Sequence, residues 1–203
     1  MLKNLSLFLS AVFSPLIIPT YGIAMALSIS ALNSTPFNVK MSVALMVAAM
    51  TFLLPLIVMW LMLRVGYISG FALEHREERF VPFFVAISSY LACWLYLYRA
   101  GAPSWLTMFV VGAIAAALIA CLVTRWWKIS IHTTSLAGLL AMVCSMAING
   151  QAHGDMLPLI SVFALSLGAV GTSRLVLNRH TLAQVAAGAL CGFLCVFIAM
   201  SLG

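Results

Sequence analysis

The sequence predicts an all-α integral membrane protein: a polytopic bundle of six to seven transmembrane helices in a single domain over residues 1–203. Three observations carry that prediction. Hydrophobic residues make up 65% of the 203-residue chain and charged residues only 7%, where a soluble domain carries about 25% charged residues. The mean hydropathy is +1.17. The apolar residues also fall into seven stretches, roughly 5–31, 41–63, 81–98, 105–124, 130–148, 157–173 and 180–201, most of them near the ~20 residues that an α-helix needs to cross a bilayer. The net charge of +6 does not mark a nucleic-acid partner, because the basic residues form no run and border no aromatic-rich soluble face. Membrane topology and an anionic substrate account for it more simply.

The first stretch contains Pro15 and Pro19 one helical turn apart. Each removes a backbone donor, so a kinked or broken helix is expected. A cleavable signal peptide does not fit, since the uncharged segment from Asn4 to Val39 far exceeds the ~7 to 15 residues of a signal core. Pro36 and Asn38 mark a turn, and the second stretch holds Pro55 and ends at Arg64. The only long polar stretch follows, Gly66 to Pro82, with Glu74, His75, Arg76, Glu77, Glu78 and Arg79. Stretches three and four form a hairpin whose turn holds Gly101 and Pro103. Trp94, Tyr96, Tyr98 and Trp105 beside it read as an interfacial belt. The fourth stretch is rich in small residues around Gly112 and Ala115 to Ala117, which suits close helix packing, and it ends in Arg125, Trp126, Trp127 and Lys128. Asn149 to Asp155 is a loop on the other side. Cys93, Cys121, Cys144, Cys191 and Cys195 all fall inside helices, without a disulfide or zinc spacing.

Ionisable residues at the ends of such helices are functional candidates by default. The segment Gly171 to Gln184 joins the last two stretches and carries Ser173, Arg174 and His180, and Gln184 shares a helical face with His180 because it lies four residues on. Ser-Arg, five residues, then His, three residues and Gln resembles the third signature of the type 2 phosphatidic acid phosphatase superfamily of membrane lipid phosphatases. That family has Asp where this chain has Gln184. Ser130 and His132 resemble half of the second signature, Pro-Ser-Gly-His, with Ile129 and Ile131 in the other two places. The first signature is matched loosely, by Arg79 with Arg76 one turn earlier; Ala72 stands where the family has Lys, and Pro82 falls three residues after Arg79 rather than one. The resemblance covers about residues 64–190. Crossing parity places His75, His132, His180 and most charged residues on one face of the membrane, as that superfamily does, with an extra hairpin near the N-terminus.

The resemblance implies hydrolysis of a phosphomonoester or diphosphate on a lipid through a phosphohistidine, with no metal and no cofactor. His180 would be the nucleophile, His132 the general acid, and Gln184 the uncharged partner that orients His180. Arg174, Arg79, Arg76, Ser130 and Ser173 would hold the phosphate. Glu77 or Glu78 would be a source of the charge that Gln184 lacks. The partners expected are a phosphorylated lipid substrate and the surrounding membrane lipids, with no nucleic acid, and the location a multi-pass position in the cell (inner) membrane. The family works at the extracytoplasmic face, whereas the surplus of Lys and Arg on the motif-bearing face points to the cytoplasm. Two other readings stay open at this point. One is a weakened member that binds or moves lipid phosphates; the other is a metal-dependent membrane enzyme using His75, His132, His180 and Glu77 or Glu78.

Overall fold

The computed structural model describes residues 2–71, 73 and 77–203. Among these the elements are helices throughout: α1 Leu2–Val12, α2 Ile18–Ile29, α3 Phe37–Ala48, α4 Leu54–Arg64, α5 Phe80–Arg99, α6 Ser104–Thr124, α7 Ile131–Ile148, α8 Leu157–Val176 and α9 Leu182–Ser201. Six spans are long and apolar enough to cross a membrane: Phe37–Arg64, Glu77–Arg99, Ser104–Thr124, Ile131–Ile148, Leu157–Val176 and Leu182–Ser201. The protein is an all-α polytopic membrane bundle.

The expected first crossing, residues 5–31, is instead two half-length helices of 11 and 12 residues. At 1.5 Å per residue each is about 17 Å long, well short of the ~30 Å hydrocarbon core. The break over residues 13–17 follows from the prolines. Pro15 cannot donate to the carbonyl four residues back, while Pro19 sits in the first turn of α2, where the missing N–H costs nothing. The second stretch runs without interruption from Phe37 to Arg64, because a π-helical turn at Ala49–Leu53 absorbs Pro55. Thr51 there returns its hydroxyl to the Val47 carbonyl at 3.0 Å and meets Thr20 Oγ1 of α2 at 3.2 Å.

α7 is the central helix. Leu136, Leu139, Ala141, Met142, Val143 and Met146 are all fully buried, and α2, α6, α8 and α9 surround it, as befits a helix that is apolar on every side. Glycine sets how closely α9 approaches. A Cβ on Gly188 would meet the Ser130 carbonyl oxygen at 2.6 Å, and one on Gly192 would collide with the Thr134 backbone. This small-residue contact brings the N-terminal ends of α7 and α9 to one level. At the other end of the bundle Ser30 pairs with Ala152, and the His153 N–H donates to the Ile29 carbonyl at 2.7 Å.

Candidate active site

The turn between α8 and α9 is built almost entirely from local bonds. Arg179 N–H donates to the Arg174 carbonyl at 3.1 Å, and Asn178 takes a left-handed conformation, φ 51°, to close the helix end. Thr181 then caps α9: its hydroxyl accepts from Gln184 N–H at 3.4 Å, and Gln184 Oε1 accepts from Thr181 N–H at 3.2 Å, a reciprocal capping box. His180 Nδ1 lies 3.2 Å from the same Oε1. That atom accepts a backbone N–H, so it is the amide oxygen, and an amide oxygen cannot donate. His180 Nδ1 therefore carries the proton, and the lone pair of the neutral ring is on Nε2.

Arg174 donates from Nη1 to Ser10 Oγ at 3.2 Å, while its Nε is buried without a partner among the described residues. Ser173 is buried and bonds back to the Ala169 carbonyl at 2.8 Å, so its hydroxyl is occupied within α8. On the facing helix, Ser130 N–H donates to the Gln184 carbonyl at 3.2 Å, and the Ser130 carbonyl takes the hydroxyls of Thr133 and Thr134 at 3.0 and 2.9 Å. The Ser130 hydroxyl is buried with no partner among the described residues, and Ser130 is not one of the residues that line the cavity. His132 Nε2 meets the Ser10 carbonyl at 3.2 Å. Because a carbonyl only accepts, Nε2 is protonated there, and Nδ1 is the basic nitrogen of the neutral ring.

Arg79 is buried, and it donates from Nε and Nη2 to the carbonyl of Leu73 at 2.8 and 2.7 Å. Leu73 itself has φ 47°, a strained position for a branched side chain. Arg76 lies outside the described residues, as do Ala72, Glu74 and His75. Glu78 does not face the histidines: its carboxylate accepts from Ser69 N–H at 2.9 Å and Ser69 Oγ at 3.0 Å. Neither Glu77 nor Glu78 lines the cavity, so neither replaces the charge that Gln184 lacks. Among the described residues no three His, Cys, Asp or Glu side chains gather as metal ligands; the His75 of the metal-dependent reading is not among them.

Arg79, His132, Arg174 and His180 all line one cavity of about 360 Å³. Its other walls are mostly apolar, from Leu16, Phe52, Met59, Phe71, Phe83 and Ala117 among others, with Ser14 and Tyr90 as polar exceptions, and no Asp or Glu is among the described lining residues. The cavity thus has a cationic, imidazole-bearing end and a hydrocarbon body. Burial of His180, with Arg174 and Lys128 nearby, lowers its pKa to about 4 despite the opposing hydrogen bond to Gln184. The ring is neutral at pH 7. Lys128 is itself pushed below the usual lysine range by burial and then by Arg79 and Arg174; it does not line the cavity and acts on this end through its charge alone.

Two participants carry no signal in the signatures, Ser10 and Lys128. Lys128 stands in the basic and aromatic edge after α6, where it reads as a membrane anchor. Ser10 belongs to a recurrence of serine every four residues, Ser6, Ser10 and Ser14, which marks one polar face on an otherwise apolar helix.

Compared with family models, with curated proteins and with solved structures, the chain matches none.

Proposed function

We propose that this protein is an integral membrane phosphatase that hydrolyses a phosphomonoester or diphosphate on a lipid through a phosphohistidine intermediate. The observation that carries the reading is the single cavity in which His180, His132, Arg174 and Arg79 meet at one end of a hydrocarbon-lined body. An amphiphile with an anionic phosphate head complements both ends.

In the first step His180 Nε2 attacks phosphorus as a neutral nucleophile. His132 Nδ1 takes the remaining acidic proton of the bound phosphate, and as the P–N bond forms and the P–O bond to the lipid breaks it passes that proton to the departing oxygen, with Nε2–H held throughout by the Ser10 carbonyl. In the second step a water gives a proton to His132 Nδ1 and attacks phosphorus, the P–N bond breaks, and orthophosphate leaves with the proton from His132 Nδ1, both histidines restored to their neutral forms. Arg174, through an Nε that has no partner among the described residues, offsets the charge on the equatorial oxygens, and Lys128 adds its charge from outside the cavity lining. Arg79 contributes its charge from the wall while its fork holds Leu73. Gln184 keeps the His180 proton on Nδ1 and the lone pair on Nε2, which supplies orientation without charge.

A second reading, binding of lipid phosphate without turnover, draws on two observations: the uncharged partner of His180 and the occupied fork of Arg79. Phosphate release by purified protein from a panel of phosphatidate, phosphatidylglycerol phosphate, isoprenoid diphosphate and lipid A phosphate, in detergent with chelator, separates the two. Release from one member supports the phosphatase; binding of all with release from none supports the carrier.

The site belongs on the extracytoplasmic side of the cell membrane in this proposal. Arg64, Arg125, Lys128 and Arg179 on its face exceed Lys40 and Arg99 on the other, against the positive-inside bias, but a phosphate site gathers basic residues at its own rim. Single cysteines at Gly70 and Gly150, in a background without native cysteines, test the side with an impermeant thiol reagent on intact cells. Labelling at Gly70 alone is expected; labelling at Gly150 alone would reverse the assignment.

A further inference from the structure

α1 is built inside out. Leu2, Leu5 and Phe8 are exposed, as a lipid-facing surface would be, whereas Ser6 is buried, Ser10 reaches Arg174 and Ser14 lines the cavity. A polar face turned inward from an apolar helix needs polar partners in the interior. Ser10 has two, and they are two of the four residues at the cationic end of the cavity.

The backbone explains how one residue serves both. In an unbroken helix Ser14 N–H would donate to the Ser10 carbonyl and residue 15 to that of Ala11. Residue 15 is proline, and Ser14 N–H turns to the Ala11 carbonyl at 3.2 Å. The Ser10 carbonyl is thereby left without a main-chain donor, as happens at helix C-termini, and His132 Nε2 takes it at 3.2 Å. The Ser10 hydroxyl, meanwhile, accepts from Arg174 Nη1. Nη1 lies outside the Nε and Nη2 edge with which a guanidinium grips an oxyanion side-on, so Ser10 steadies the arginine without covering its buried Nε, which has no partner among the described residues.

We infer that Ser10 is a positioning residue of the phosphate site, aiming Arg174 through its hydroxyl and fixing the His132 tautomer through its carbonyl. The inference rests on the proposed phosphatase reading. It assigns the N-terminal helix, which lies outside the stretch that resembles the lipid phosphatases, a part in the chemistry: the site is incomplete without it.

The test compares the full-length wild type with Ser10→Ala and Ser10→Thr in detergent. Orthovanadate affinity, steady-state kinetics on a lipid phosphate and thermal midpoint are measured for each. Ser10→Ala removes the hydroxyl and keeps the carbonyl, so vanadate affinity and KM should both weaken about five- to tenfold, the net scale of one ordinary hydrogen bond because the contact aims Arg174 rather than touching the anion, with kcat within about twofold. Ser10→Thr should restore both. Wild-type affinity and KM in Ser10→Ala, or a lowered thermal midpoint as its only effect, would reduce Ser10 to a packing contact and overturn the inference while leaving the phosphatase reading intact. A Thr variant as weak as Ala would overturn it as well. If the wild type binds vanadate but releases no phosphate, the affinity comparison alone decides. If it does neither, the phosphatase reading falls and this inference with it.

Discussion

His180 and His132 are each oriented by an uncharged oxygen, but the two oxygens are reached in opposite ways. The Gln184 amide that holds His180 is four residues along the chain and doubles as the capping residue of its own helix. The Ser10 carbonyl that holds His132 arrives from a helix 122 residues away, and only because Pro15 frees it. One half of the site is thus folded by local geometry and the other by the assembly of the bundle. The difference teaches that a neutral partner suffices to set a tautomer, wherever it comes from, and that among the described lining residues no carboxylate stabilises a cation on His180. With Arg174 and Lys128 close by, the site favours a neutral His180 as strongly as it favours an anion.

Four substitutions sharpen or break that contrast. His180→Ala should abolish phosphate release, since it removes the only nucleophile in the mechanism, and its vanadate affinity should persist through the cations; an active variant would remove the local half of the site from the chemistry. Gln184→Ala should cost about 10³-fold in kcat, less than the ~10⁴-fold of a triad histidine forced into the wrong tautomer, because Nδ1 loses the acceptor that holds it. Pro15→Ala restores a donor at residue 15 and lets Ser14 N–H compete for the Ser10 carbonyl, so kcat should fall about tenfold while the His180 acidic limb stays in place. A wild-type rate in Pro15→Ala would show that the long-range half is dispensable.

The smallest expected effect is the most specific. With the free-enzyme pKa of His180 held at about 4, kcat/KM should stay level as pH falls through 6.5 and drop only towards 4, where protonation removes the nucleophile. Gln184→Glu keeps the capping box and adds the missing charge, so it favours the imidazolium and should raise that acidic limb by about one pH unit. A limb already near 6.5 in the wild type would contradict the buried, cation-flanked placement of His180.

The two halves differ equally in how far they could be read from the chain. Arg174, His180 and Gln184 stand at fixed local spacing, and a turn between two apolar runs is enough to bring them together. His132 and Arg79 could be put on the same face by counting crossings, because each apolar run of about 20 residues must traverse the bilayer. Ser10 could not. Its contacts span 122 and 164 residues, and its spacing with Ser6 and Ser14 says only that a face is polar, not what it meets. The first run read as one crossing because it carries no charge from Asn4 to Val39; Pro15 showed that it would break but not that the freed carbonyl would find a histidine. Glu77 and Glu78 misled in the opposite sense, since charge in a loop near the site implies a role, whereas Glu78 spends its carboxylate on Ser69.

The central claim, a covalent phosphate on His180, is tested most directly by rapid acid-free quenching of purified protein mixed with a ³²P-labelled lipid phosphate in detergent and chelator. The account predicts a protein-bound label that is stable to alkali, labile to acid and absent from His180→Ala. Label-free protein that still releases phosphate, or label retained in His180→Ala, would contradict it.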